Sequence, residues 1–154
     1  MEFVIICGPS GSGKTFIKEY LCNTYHHTYM SVPQLTTREK RNGEQDIAYL
    51  FVSKNSYKSV ERFLIGKTRI YDNHYGSLMP SRKEYNQMKH VIILNKEGLN
   101  DFLSSINDNH TYTIIGITRD DLQREGRTED YIEKEKEVLN MCDIVFDGKD
   151  GFVN

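Results

Sequence analysis

The chain has 154 residues, of which 38% are hydrophobic and 27% are charged, so it has enough apolar residues for one ordinary core and no compositional sign of disorder. Its formal net charge of −2 argues against broad binding to nucleic acid, and the apolar run Phe3–Cys7 is too short for a signal-peptide core or a membrane span. We therefore expect a single-domain cytoplasmic protein that binds neither nucleic acid nor membrane and whose partner is a small anion. The three cysteines lack the paired spacing of a zinc site or a disulfide framework, and we expect reduced core thiols.

The first predicted element is a buried strand over Phe3–Cys7, which leads directly into GPSGSGKT at Gly8–Thr15. Apolar residues with helix spacing follow, so the opening unit is strand, glycine turn and helix. The turn satisfies the pattern G-x-x-x-x-G-K-[ST], in which glycines let backbone N–H groups cradle phosphate at a helix amino terminus. We expect Lys14 to reach the β- and γ-phosphates of a nucleotide and the Thr15 hydroxyl to hold Mg²⁺. The predicted phosphate-binding residues are Gly8, Ser10, Gly11, Ser12, Gly13, Lys14 and Thr15. ATPases, GTPases, kinases and translocases share this motif, so the phosphoryl acceptor has to be sought elsewhere in the chain.

The segment Thr36–Gly76 interrupts a regular alternation of strands and helices. Ile47–Val52 has the pattern of a strand, and Ser53 is suited to cap a helix. We expect that helix to carry Tyr57, Val60 and Leu64, with a tyrosine-rich loop after it. We interpret the whole segment as an insert over the carboxyl edge of a sheet, where folds of this class bind ligands.

The same segment contains a second candidate anion site. Arg38 and Arg41 lie three residues apart, and arginine forks suit a phosphate. Glu44 follows closely, and a carboxylate accepts two hydrogen bonds from one base edge. Guanine offers two such donors through its N1–H and amino groups, whereas adenine does not.

The rest of the chain alternates strand and helix patterns. Strands are predicted at Val91–Leu94, Tyr112–Ile117 and Ile144–Phe146, and helices at about Glu97–Ile106 and Glu129–Met141. This alternation predicts an α/β fold with a mainly parallel sheet and helices on its faces.

Four spaced motifs, GPSGSGKT, TTREKRNGE, AYLFVS and NHYGS, resemble the signature of the guanylate kinase family and occur in the family's order. The resemblance implies the three-layer αβα fold of P-loop NTPases and Mg²⁺-assisted phosphoryl transfer from ATP to a nucleoside monophosphate, with GMP or dGMP favoured. It implies core segments at about 1–33, 78–118 and 129–154, a monophosphate-binding insert at about 34–77 and a short lid at about 119–128. The monophosphate would be held by Arg38, Arg41, Tyr49 and Tyr75, with Arg38 also catalytic, while Glu44 and Ser77 would read the guanine edge.

The predicted lid contains the polar run RDDLQREGRTED. Family members place mobile arginines here, which close over the transferring phosphoryl group and neutralise it. The resemblance therefore implies catalytic roles for Arg124 and Arg127, with Arg119 a weaker candidate.

Several positions depart from the family pattern. Gln34 stands where a serine usually helps to bind guanine, Ile65 and Gly66 stand where an acidic residue is expected, and Asn95 replaces an aspartate. Glu97 lies close enough in sequence to substitute for that aspartate, and Lys134 or Lys136 would replace an arginine of the helix after the lid with a point charge. Two alternatives therefore stay open: a kinase for another phosphorylated small molecule, such as a different deoxynucleotide or a ribose bisphosphate, and a non-catalytic binding module.

Overall fold

The computed structural model of the chain describes residues 1–43, 49–80, 87–118, 133–134 and 136–148. These residues form a five-stranded sheet and a four-stranded sheet. In chain order the elements are β1 (Glu2–Cys7), α1 (Lys14–Thr24), β2 (Tyr29–Ser31), β3 (Gln34–Thr36), β4 (Leu50–Phe51), α2 (Lys54–Val60), β5 (Leu64–Ile70), β6 (Asn73–Leu78), β7 (Lys89–Ile93), α3 (Lys96–Ser105), β8 (Thr111–Thr118) and β9 (Ile144–Asp147), with 3₁₀ turns at Glu61–Phe63 and Glu137–Met141.

The five-stranded sheet has the order β2-β7-β1-β8-β9, and all its strands are parallel. All residues of β1 except Glu2 are buried, which explains why this strand is continuously apolar instead of alternating. Since β1 lies in the middle of the sheet, the loop that follows it leaves from the centre of the carboxyl edge. The predicted α/β P-loop fold with a mainly parallel sheet is confirmed.

Helix α3 covers one face of this sheet and was correctly predicted to within a residue. Asn95 caps it, because the Asn95 Oδ1 atom accepts a hydrogen bond from the Gly98 N–H at 2.8 Å. Its inner face contributes Phe102, whose ring packs edge-on against Phe3 of β1 with 5.1 Å between centroids. Burying such an aromatic side chain contributes about 2 to 3 kcal/mol, so this contact fixes the helix to the sheet.

The four-stranded sheet has the order β4-β3-β6-β5 and takes its strands from the predicted insert. Of the predicted strand Ile47–Val52, Leu50–Phe51 forms β4, while residues 44–48 lie outside the described residues. Ser53 caps α2 as predicted, since its hydroxyl accepts from the Ser56 N–H at 3.1 Å.

Two expectations for this sheet were wrong. Leu64 does not belong to α2, because the 3₁₀ turn at Glu61–Phe63 ends the helix and Leu64 begins β5, buried against Leu35 and Tyr57. The tyrosine-rich loop is instead the hairpin of β5 and β6, whose antiparallel register extends to the pair Ile70 and Asn73. Tyr71 occupies the turn with a φ of 55°, a conformation that is uncommon for tyrosine and that the sequence does not predict.

The carboxyl-terminal part agrees with prediction where it is described. Residues 133, 134 and 136 are helical and lead into the 3₁₀ turn at Glu137–Met141, so the predicted helix tightens in its last turn. The predicted strand at Ile144–Phe146 is confirmed as β9. No helix in the described part of the chain is long and apolar enough to cross a membrane.

Candidate functional site

A cleft of about 860 Å³ opens at the carboxyl edge of the five-stranded sheet. One side is the loop between β1 and α1, represented by Gly8, Gly13 and Lys14. The other side is the second sheet, represented by Tyr75 and Ser77 of β6. The fold therefore brings the glycine-rich loop and three residues of the predicted insert, Tyr49, Tyr75 and Ser77, into one cavity, whereas Arg38 and Arg41 are not among the described residues that line it.

The loop after β1 has the backbone geometry of a phosphate cradle. Gly8 has a φ of 145°, and a Cβ atom at this position would lie 2.0 Å from the carbonyl oxygen of Ile117 on β8. Gly11 and Gly13 also adopt positive φ, and α1 begins at Lys14, so its amino terminus faces the cleft. The Lys14 ammonium donates a hydrogen bond to the Gly8 carbonyl, which lays the lysine along the loop.

Six of the seven predicted phosphate-binding residues line the cleft, namely Gly8, Ser10, Gly11, Gly13, Lys14 and Thr15. Ser12 is the exception, because it is fully buried beneath the loop. Its backbone N–H donates to the Pro9 carbonyl at 3.2 Å, which closes the loop on itself.

Aromatic rings connect Arg38 to the side of the cleft that is formed by the second sheet. The Arg38 guanidinium carbon lies 5.6 Å from the centroid of the Tyr49 ring and 5.4 Å from that of Phe51. The Tyr49 ring in turn lies 5.8 Å from the Tyr75 ring, and both tyrosines line the cleft. Three of the four predicted monophosphate-binding residues, Arg38, Tyr49 and Tyr75, are thus close together.

Ser77 presents a buried hydroxyl at the same wall. Its side chain is 1% exposed, and its Oγ atom has no hydrogen-bond partner within the described ranges. Across the β3–β6 register lies Gln34, whose Nε2 donates to the Ile93 carbonyl at 2.9 Å and so connects the two sheets. Since a buried hydroxyl without a partner is costly, Ser77 is suited to meet a ligand or a water molecule.

Of the remaining predicted residues, only some lie in the described part of the chain. Arg41 is exposed and is not among the described residues that line it. Glu44, Arg119, Arg124 and Arg127 lie outside the described residues. Of the two lysines considered as replacements for an arginine, Lys134 lines the cleft, whereas Lys136 forms an ion pair with Glu133 at 3.9 Å.

No sequence pattern pointed to Thr68, which lines the cleft from β5. Its hydroxyl accepts a hydrogen bond from the Asn95 Nδ2 atom at 3.2 Å and donates one to the Glu97 Oε2 atom at 3.0 Å. Asn95 and Glu97 also line the cleft. A three-residue hydrogen-bond chain therefore crosses from the end of β7 to the second sheet and back to the first turn of α3.

The buried thiol next to the loop is not suited to chemistry. Burial, reinforced by the neighbouring Cys142 thiol, raises the pKa of Cys7 to about 12, so it is not a nucleophile near neutral pH. Burial also raises the pKa values of Cys22 and Cys142. All three cysteines are free, but only Cys7 is buried in the core as expected, whereas Cys22 and Cys142 are partly exposed.

The residues in the cleft fit a magnesium ion held chiefly by a nucleotide. The described residues contain no cluster of three or more His, Cys, Asp or Glu side chains able to hold a metal. Thr15 nevertheless lines the cleft beside Lys14, where its hydroxyl offers one oxygen ligand. Mg²⁺ commonly takes only one or two protein ligands and completes its shell with phosphate oxygens and water.

Comparisons with known proteins agree with the motifs. A family model described as guanylate kinase matches residues 1–136. The guanylate kinase of Helicobacter pylori (strain ATCC 700392 / 26695) is 37% identical over 95 residues, which are 59% of this chain and 46% of that protein. The guanylate kinase of Sulfurimonas denitrificans is 30% identical over 146 residues, 88% of this chain and 70% of that protein. The chain thus spans about half the length of the Helicobacter relative that it matches.

A solved structure is similar to this fold. The crystal structure of guanylate kinase from Anaplasma phagocytophilum matches with a TM-score of 0.63 and 13% sequence identity, over 97% of this chain and 76% of that one. At that identity the match shows a shared fold.

Proposed function

Because the chain belongs to the guanylate kinase family, we propose that it transfers the γ-phosphoryl group of ATP to a nucleoside monophosphate, with GMP or dGMP as the preferred acceptor. The observation that carries the proposal is the single cleft lined on one side by the phosphate loop and on the other by Tyr49, Tyr75 and Ser77. Two polyanions bound in this cavity would meet between the two sides, which is the geometry that phosphoryl transfer requires.

The side of the cleft formed by the loop between β1 and α1 would bind the phosphates of ATP through its backbone N–H groups and Lys14. The N–H groups of the loop and the amino terminus of α1 supply positive potential without a conformational cost, since the glycines already hold the loop open. Lys14 would leave the Gly8 carbonyl to contact the β- and γ-phosphates. Arg124 and Arg127, assigned from the sequence alone, would complete the positive charge around the transferring group.

The acceptor side would hold the monophosphate with Arg38, Arg41, Tyr49 and Tyr75. Its second phosphate pKa is about 6, so the attacking oxygen is already ionised near neutral pH and needs no general base. Ser77, and Glu44 by sequence assignment, would then contact the base. Catalysis would consist of positioning and charge stabilisation.

Thr15 would hold Mg²⁺ through its hydroxyl, together with phosphate oxygens. When bound, the ion neutralises charge on the phosphates during transfer. The second sheet lies within residues 34–78 and supports our assignment of an acceptor-binding insert in an otherwise single domain over 1–154.

The proposal is tested by ADP release from Mg-ATP with GMP, dGMP, AMP, CMP, UMP and dTMP in turn. Turnover restricted to GMP or dGMP, abolished by Lys14→Ala and weakened by Glu44→Ala, is the expected result. Thr113→Val is the matched control, because Thr113 is exposed near the amino end of β8, away from the cleft. Turnover with a different monophosphate would overturn the guanine assignment, and ATP binding without turnover on any acceptor would favour a binding module.

A further inference from the structure

We propose that Thr68 is a positioning residue that holds the Glu97 carboxylate towards the base of the bound acceptor, and that Asn95 fixes the direction of this hydrogen bond. The inference rests on the proposed function, because it concerns how the acceptor is recognised. It assigns roles to residues outside the phosphate loop and outside the predicted set of base-reading residues.

The direction of the chain of hydrogen bonds follows from the cap of α3. The Gly98 N–H donates to Oδ1 of Asn95 at 2.8 Å, so the Nδ2 atom of Asn95 faces Thr68. An amide NH₂ group only donates, and the Thr68 hydroxyl therefore accepts from it. The single hydroxyl proton of Thr68 is then committed to Glu97, 3.0 Å away.

A bulge in β5 places Thr68 against α3. The β5–β6 register shifts between Ile65 and Thr68, which releases the Lys67 N–H from the ladder, and this group donates to the Asp101 Oδ2 atom at 2.8 Å. Gly66 within the bulge has a φ of 63°, and a Cβ atom there would lie 2.6 Å from a methyl group of Leu94. The positive φ favours glycine, and the missing side chain leaves room for Leu94, so the bulge anchors Thr68 beside the first turn of α3.

The anchored carboxylate faces the acceptor side of the cleft. Thr68 is the register partner of Tyr75, so both side chains lie on one face of the second sheet, as does Ser77 two residues further along β6. Of the Glu97 oxygens, only Oε2 has a hydrogen-bond partner among the described residues. A carboxylate accepts hydrogen bonds and repels phosphate, so Glu97 is suited to the N–H groups of a base, while the cluster of Arg38, Tyr49 and Tyr75 takes the phosphate.

Asn95 directs the hydroxyl proton of Thr68 to Glu97, and an aspartate at this position would not do so. Aspartate caps helices as well as asparagine does. Its second oxygen, however, would accept from Thr68 and compete with Glu97 for the one hydroxyl proton. Asn95→Asp is therefore expected to weaken acceptor recognition, although it restores the residue that the family resemblance leads one to expect.

The test measures KM and kcat for GMP and for IMP, which lacks the 2-amino donor of guanine. Thr68→Val, which keeps the shape but removes the hydroxyl, should raise the KM for GMP about fivefold, the loss of roughly one hydrogen bond, with kcat and the KM for ATP unchanged. The effect with IMP should be smaller. Thr68→Ser keeps the hydroxyl, and its KM for GMP should stay within about twofold of that of the parent protein. The surface control Thr113→Val should behave in the same way.

A double-mutant cycle separates positioning from general loss of structure. If Thr68 acts through Glu97, Thr68→Val has no further effect on KM in a Glu97→Gln background. Equal losses in the Thr68→Val and Thr68→Ser variants, additive effects in the cycle, equal losses with GMP and IMP, or an improved KM in Asn95→Asp would each overturn the proposal.

A ligand-free measurement keeps this proposal distinct from the proposed function. The side-chain amide resonances of Asn95 should shift in Thr68→Val and stay in place in Thr68→Ser, whether or not the protein turns over nucleotide. Absence of turnover in the parent protein would refute the kinase, whereas unchanged Asn95 resonances in Thr68→Val would refute the hydrogen-bond chain.

Discussion

Replacing Ser77 by alanine should stabilise the fold and weaken the site at the same time. The Ser77 side chain is 1% exposed and its hydroxyl has no partner in the described structure. Neither neighbouring residue forms a hydrogen bond with this hydroxyl. The Gln34 amide nitrogen donates to the Ile93 carbonyl, and the residue opposite Ser77 on β5 is Ile65. Ser77→Ala therefore removes a buried polar group that has no protein partner in the described structure.

The stability gain follows from the cost of an unsatisfied buried hydroxyl, about 1 to 3 kcal/mol. Part of this is offset by the small void left by the oxygen, so we expect a gain of about 1 kcal/mol. For a domain of this size that corresponds to a rise in Tm of about 2 to 4 °C. Under the proposed function, the same change would also remove one hydrogen bond to the bound acceptor and should raise the Kd of the acceptor about fivefold.

Urea denaturation followed by circular dichroism measures the first effect, and calorimetric titration with GMP measures the second. Ser53→Ala is the contrasting control, because the Ser53 hydroxyl caps α2 away from the cleft. That variant should lose about 1 kcal/mol of stability with unchanged affinity for GMP. A Ser77→Ala protein that is less stable than the parent, or that binds GMP equally well, would refute the reasoning.

Three further predictions concern the loop and two buried groups. Gly8→Ala should abolish turnover and ATP binding, measured by assay and calorimetry, because its Cβ atom would lie 2.0 Å from the Ile117 carbonyl oxygen; retained binding would show that the loop can shift. Burial raises the pKa of Tyr57 from 10.0 to about 12. The stability that the neutral Tyr57 side chain contributes is therefore complete below pH 10 and is lost as the pH rises towards 12. At pH 7, Tyr57→Phe should lower the free energy of unfolding by about 1 kcal/mol, because the hydrogen bond to the Tyr75 carbonyl is missing. Between pH 10 and 12, however, denaturation experiments should show that the stability of this variant falls less steeply than that of the parent protein. Cys7, whose pKa is raised to about 12 by burial, should react with iodoacetamide at pH 8 only after unfolding, as peptide mapping would reveal.

The elements that could be predicted from sequence are those whose signals are local. A continuous apolar run gave β1, a glycine motif between a strand and a helix gave the loop at Gly8–Thr15, and Ser53 marked the start of α2. These signals depend on residues a few positions apart. The loop that forms one side of the cleft was accordingly located from sequence, and six of its seven predicted residues line the cleft, while their role in binding phosphate stays a prediction.

The hairpin of β5 and β6 was missed because its cause is not local. Tyr71 has a positive φ, but its residue type does not indicate a turn. Leu64 continues the apolar spacing of α2, although in the structure it lies in a strand and packs against Leu35. Thr68 was missed for a related reason. Its place depends on a bulge and on the capping geometry of Asn95, more than twenty residues further along the chain, and neither is visible as a spacing or a composition.

The central position of β1 has a consequence for how the protein is made. β1 pairs only with β7 and β8, which begin at Lys89 and Thr111, so the strand that carries the phosphate loop has no sheet neighbour until the later part of the chain exists. Closing such long loops is entropically slow, and an unpaired apolar strand is prone to aggregate meanwhile. During synthesis on the ribosome, β1 therefore reaches its native surroundings only after β7 and β8 have been translated.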